Sequence, residues 1–151
     1  MTRSWTRPLV VTALSALALG EASSCSNPAG PVSAPCTRET IFDGRDRVAA
    51  NTYIAQRITT TTTGRLNVTM DWVLDASVLS LVLTQGPCSV EQFRADECNV
   101  ISDLFPPPKP LQDSTTWLRP GDYDMIIGNF TSLDEIASIH VEQSSTGCST
   151  P

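Results

Sequence analysis

The chain has 151 residues, of which 17% are charged and 40% belong to the hydrophobic class, so it holds one domain's worth of core and is not compositionally disordered. The net charge of −6 lacks the basic footprint that phosphate backbones demand, which excludes nucleic acid as the expected partner. A two-domain enzyme does not fit this length.

Residues 1–24 read as a signal peptide. Arg3 and Arg7 form a short basic region, and Leu9 to Leu19 form an apolar stretch of secretory length, too short to span a bilayer, before Gly20 and Glu21 interrupt it. Two cleavage readings stay open. Gly20 and Ala22 satisfy the small-residue rule of ordinary signal peptidase, which releases a soluble product. Ala22-Ser23-Ser24-Cys25 resembles the bacterial lipoprotein box, which makes Cys25 an acylated N-terminus. Cysteine parity favours the lipid, because five cysteines stand at 25, 36, 88, 98 and 148 and an exported chain ordinarily pairs its thiols. Residues 25–37 are small, polar and Pro-rich, as suits a flexible tether. The expected localisation is therefore exported, either as an outer-membrane or cell-surface lipoprotein or secreted, with the bacterial membrane as a partner through the N-terminal lipid.

Residues 38–149 lack helical periodicity and alternate repeatedly, which predicts an all-β fold, a sandwich or jelly roll of about eight antiparallel strands. Strands are expected at Thr40 to Asp43 and Thr52 to Thr60, and the run Thr59 to Thr63 reads as an edge strand running into a turn. Leu66, Val68, Met70 and Trp72 share one face of the next, and Leu79, Leu81 and Leu83 share one face of a strand whose Ser80 is expected to be exposed. Val100 to Leu104 and Ser114 to Leu118 follow. Tyr123, Met125 and Ile127 alternate with Asp122, Asp124 and Ile126. In the last strand, Ala137, Ile139 and Val141 alternate with Ser138, His140 and Glu142. Gly, Pro and Asp clusters punctuate the series, and Phe105 to Pro110 reads as a stiff connector.

The order of Phe42-Asp43-Gly44, then Gly64-Arg65-Leu66-x-Val68-Thr69-Met70-Asp71-Trp72, then Leu79-x-Leu81-x-Leu83, then Leu118-x-Pro120-Gly121-x-Tyr123-x-Met125-x-Ile127 resembles the bacterial pre-peptidase C-terminal (PPC-type) β-sandwich domains over roughly residues 39 to 142. Such domains accompany exported enzymes as accessory pieces. The resemblance implies that Cys88 and Cys98, which bracket a loop of the kind found in those domains, are bonded. It then implies that Cys36 and Cys148 join the first and last strands. Family members often carry calcium-binding acids in the strand that here reads Val78 to Leu83, and those acids are missing. Asp71 and Asp75 remain as oxygen donors, well short of the roughly six to eight ligands calcium takes, so no metal or other cofactor is expected.

His140 is the single histidine and is expected to face solvent, and no nucleophile elbow, HExxH helix or phosphate loop occurs. Trp72 is expected in the core. Trp117, with Tyr123 of the next strand, is the candidate for stacking on a ligand. These features predict a non-enzymatic module that binds a glycan, protein or surface partner at the envelope. A small secreted hydrolase, or an accessory domain related to secreted peptidases, is the alternative.

Overall fold

The computed structural model describes residues 35–105, 108–145 and 147–148, with the side chains of Thr116 and Trp117 excepted. The expected signal peptide, Cys25 and nearly all of the expected tether lie outside the described residues.

Eight strands form: β1 Arg38–Val48, β2 Tyr53–Thr60, β3 Gly64–Trp72, β4 Leu79–Gln85, β5 Asn99–Leu104, β6 Leu111–Leu118, β7 Gly121–Asn129 and β8 Glu135–Ser144, with one short helix, α1 Val90–Arg94, between β4 and β5. They make two antiparallel four-stranded sheets, ordered β1-β8-β3-β6 and β2-β7-β4-β5. First pairs with last, second with seventh, third with sixth and fourth with fifth. The chain is thus one long double ribbon rolled into two layers, the jelly-roll form of a β-sandwich.

Alternation drives this arrangement, because in a strand every second side chain faces the opposite sheet. Leu66, Val68, Met70 and Trp72 of β3 pack against Leu79, Leu81 and Leu83 of β4, with Tyr123, Met125 and Ile127 of β7 and Ala137, Ile139 and Val141 of β8 completing one apolar cluster. The buried Trp72 donates its indole N–H to the Ser77 carbonyl at 3.1 Å.

Two local features depart from the alternation. β1 runs for eleven residues, well beyond Asp43, through the charged stretch Arg45 to Arg47, and carries a bulge between Thr40 and Phe42. Ser80 is buried, not exposed. The physical reason is that the outer face of the second sheet carries its own small core. There Val82 and Ile126 pack under Cys88, with Tyr53, Phe93 and Cys98 around them. The α1 segment is held across that face by the Cys88–Cys98 disulfide (Cα–Cα 5.8 Å) and by a capping box. In that box Gln92 N donates to Ser89 Oγ at 3.2 Å, and Ser89 N donates to Gln92 Oε1 at 2.9 Å.

A second disulfide joins Cys36 to Cys148 across Cα atoms 4.5 Å apart, where β1 begins and β8 has just ended. The ribbon is therefore clamped at both of its ends, near the β4–β5 bend and at the open end.

Gly128 of β7 allows the outer cluster to close. A Cβ there would lie 2.8 Å from both Ser80 Oγ and Tyr53 Cε1, and 3.0 Å from Phe130 Cε2. Gly128→Ala is expected to push the Tyr53 ring off the sheet at a cost of roughly 1–3 kcal/mol. A urea denaturation midpoint equal to the parent's would show that the site yields without strain.

Candidate functional site

Strand direction places the β1–β2, β3–β4, β5–β6 and β7–β8 connections at one pole, opposite the Cys36–Cys148 bond. Backbone bonds tie them together. Asn51 N donates to Thr131 O at 3.1 Å, Asn129 N to Thr52 O at 2.9 Å, and Phe130 N to Val78 O at 3.0 Å.

This pole is apolar on its surface. Among the described residues nine large hydrophobic side chains are exposed, and seven of them lie here. Val73, Leu74 and Val78 come from the β3–β4 connection, and Phe130 and Leu133 from the β7–β8 connection. Phe105 closes β5, and Ile136 sits at the start of β8. Val73 is 66% exposed, Leu133 58% and Phe105 57%. A file of rings runs from α1 to the pole: Phe93 to Tyr53 at 5.5 Å, Tyr53 to Phe130 at 5.7 Å, and Phe130 to Phe105 at 4.7 Å between centroids. The Arg94 guanidinium lies 5.5 Å from the Tyr53 ring centre. Such a concentration contrasts with the single scattered hydrophobics of an ordinary surface and makes this pole the candidate site.

Polar groups, buried at Glu135 and Asn129 and exposed at Asp134, hold these loops in place. Glu135 is 1% exposed, and its carboxylate accepts from Ser77 Oγ, from Val73 N at 3.2 Å and from Leu74 N at 3.4 Å. Buried Asn129 donates to Val48 O at 3.0 Å and Leu133 O at 2.8 Å, and accepts from Thr131 N at 3.0 Å. Asp134 accepts from Ala50 N at 2.8 Å and pairs with Arg47, whose guanidinium hydrogen bond, with the Ala50 amide, holds the Asp134 carboxyl below the usual carboxylate range. The apolar side chains are thus presented by an ordered frame. Glu135→Ala is expected to free the Val73 and Leu74 amides to water and to lower stability by about 2 kcal/mol, since amides so near solvent recover part of the lost bonding. Faster hydrogen exchange at residues 73–77, with β6 unchanged, is the expected readout.

Asp71 and Asp75 face a cation supplied by the chain itself. Lys109 Nζ lies 2.6 Å from Asp75 Oδ1 and 3.9 Å from Asp71 Oδ1, donates to Val73 O at 3.3 Å, and stands 5.9 Å from the centre of the Trp72 ring. The Lys109 hydrogen bond and charge lower the Asp75 carboxyl pKa. No group of three or more potential metal ligands occurs among the described residues.

Tyr123 is 2% exposed and donates its hydroxyl to Arg119 O at 2.7 Å, so its ring offers no free face for stacking. Burial pushes the Tyr123 hydroxyl pKa up. Of Trp117, the side chain lies outside the described residues.

No protein-family model matches the chain, and no curated protein matches it.

His140 stands on the outer face of the first sheet, with Nδ1 3.7 Å from Asp43 Oδ2 and Nε2 3.6 Å from Glu142 Oε1. No hydrogen bond links its ring to a serine or cysteine among the described residues, so the geometry assembles no activated nucleophile there.

The pole escaped sequence reasoning because its members come from two connections and two strand ends far apart in the chain. The available signal was apolar side chains set among turn residues, as in Val73-Leu74-Asp75 and Phe130-Thr131-Ser132-Leu133.

Proposed function

We propose that this chain is an exported, non-enzymatic β-sandwich module of PPC type, held at a bacterial membrane by lipid on Cys25, that docks on a protein partner at the cell envelope through its apolar pole. The observation that carries this reading is the gathering of exposed Val73, Phe105, Phe130 and Leu133 on a braced frame, at the pole opposite Cys36. A protein surface suits that pole better than a glycan, because its rings meet edge-on or tilted and present no continuous flat platform. Two disulfides support export, since such bonds persist in oxidising compartments.

Two measurements test this. Intact mass of protein from a native bacterial host is expected to show acyl groups on Cys25 and a gain of two hydrogens per disulfide on reduction. A photo-crosslinking residue at Leu133 is expected to give a discrete adduct that disappears in Phe105→Ser/Phe130→Ser, while the same probe at Thr69 gives none. Matching adducts from both positions would remove the pole from the function.

A further inference from the structure

A cleft lies away from the pole, along the side of the sandwich where β5, the last strand of one sheet, faces β6, the last strand of the other. Its volume is about 600 Å³, inside the roughly 300–1,000 Å³ range of ligand sites. Ile101 and Leu118 give it apolar surface, and Gln85 and Thr115 give it polar surface. Ser102 Oγ on β5 donates to Asp113 Oδ2 on β6 at 2.8 Å, which bridges the two sheets.

We infer that this cleft binds an extended peptide carrying a lysine or arginine, added as a strand to the free edge of β5 or β6. Two observations lead there. First, each strand pairs on one side only, so its other edge offers backbone donors and acceptors at strand spacing, a ladder that another backbone can match and a sugar cannot. β5 and β6 contain no Lys, Arg or Pro, although each carries one aspartate and a register shift in its ladder, whereas the edge strand β1 carries Arg38, Arg45 and Arg47. Second, the charge is complementary to a cation. Asp113 lines the cleft and Asp103 stands on β5, while among the described lining residues Arg119 is the one cation, at the end next to the β6–β7 turn. Tyr123 reaches the cleft with no exposed ring face, so it supplies no platform for a saccharide.

The test is an amide-resolved NMR titration of the oxidised domain with the peptide acetyl-Thr-Val-Lys-Val-Thr-amide. Shift changes are expected at residues 99–103 and 111–115. The same peptide N-methylated at alternate amides is expected to cause none, because it cannot complete the ladder. Asp113→Asn is expected to weaken binding about fivefold, the size of one partly exposed ion pair. Since Asp113 also bonds Ser102, the methylated peptide provides the arm in which the protein is unaltered. Absence of shifts at millimolar peptide, equal shifts from the methylated form, shifts with cellohexaose instead, or shifts with protein concentration alone would each overturn the inference. None of these outcomes bears on the apolar pole, which lies elsewhere on the sandwich.

Discussion

Serine at both Cys36 and Cys148 is expected to lower folding stability by about 5 kcal/mol, the chain-entropy value for a closed loop of this length. The sequence separation is 112 residues, against 10 for Cys88 and Cys98, and the same account gives the shorter bridge about 3 kcal/mol. Loop closure is reinforced by local structure. Thr37 N donates to Ser145 Oγ at 3.0 Å and Ser145 N to Thr37 O at 2.9 Å, so the bridge sits on the last hydrogen-bonded rung between the chain's outer strands. Without it, β1, an edge strand with charged outward residues, is expected to fray from β8. Domains of this size have total stabilities of roughly 5–15 kcal/mol, so the loss removes a third or more of the margin. Urea unfolding of the two double-serine variants checks the order. A larger loss from the Cys88/Cys98 pair would mean that the bridges act through native-state packing and not through the unfolded chain.

Asp124→Ala is expected to cost about 3 kcal/mol, at the low end for removing one member of a buried ion pair because Arg57 is half exposed and recovers water. The Asp124 side chain is 3% exposed and takes Arg57 Nε at 3.0 Å, Arg57 Nη2 at 3.1 Å and the Cys88 amide at 2.6 Å. It thus ties β2, β7 and the start of the disulfide loop together. Burial pushes its pKa upward, but the Arg57 hydrogen bond, the Cys88 amide and the Arg57 charge together outweigh burial and hold the carboxyl below its ordinary value. A carboxyl with a depressed folded-state pKa contributes stability that is complete above the unfolded value of about 3.9 and is lost as pH falls through the lower folded value. The parent and Asp124→Ala should therefore differ most near neutrality and converge in acid below pH ~4. Parallel stability curves across that range would show that Asp124 acts by packing and not by charge.

What could be read from the residues followed burial by alternation. β3, β7 and β8 place their alternate apolar side chains in the core, where the period of two coincides with the inward face. Thr52 to Thr60 foreshadows β2, an edge strand that ends at Thr60. The pattern failed where a face is covered by something other than the opposite sheet. Ser80, Val82, Asp124 and Ile126 lie under the α1 segment or its neighbouring rings, and no strand-level pattern shows that a loop will lie there. The helix itself had a local signal in Ser89-Val90-Glu91-Gln92, a capping box inside the segment read only as a cysteine-bounded loop. β1 extends further than its apolar residues suggested, because its ladder to β8 is set by backbone pairing that accepts Arg45, Asp46 and Arg47 along the way. The cation at Asp71 and Asp75 comes from Lys109, thirty-four residues beyond Asp75, and chain order gives no notice of it.

The proximity of Cys36 and Cys148 makes the domain portable. A body whose entry and exit points are 4.5 Å apart can be spliced into a surface turn of a host protein without prying that turn open. By the same geometry, a short linker can weld the two ends and new termini can be cut into the β2–β3 turn at Thr61 to Thr63, leaving both sheets whole.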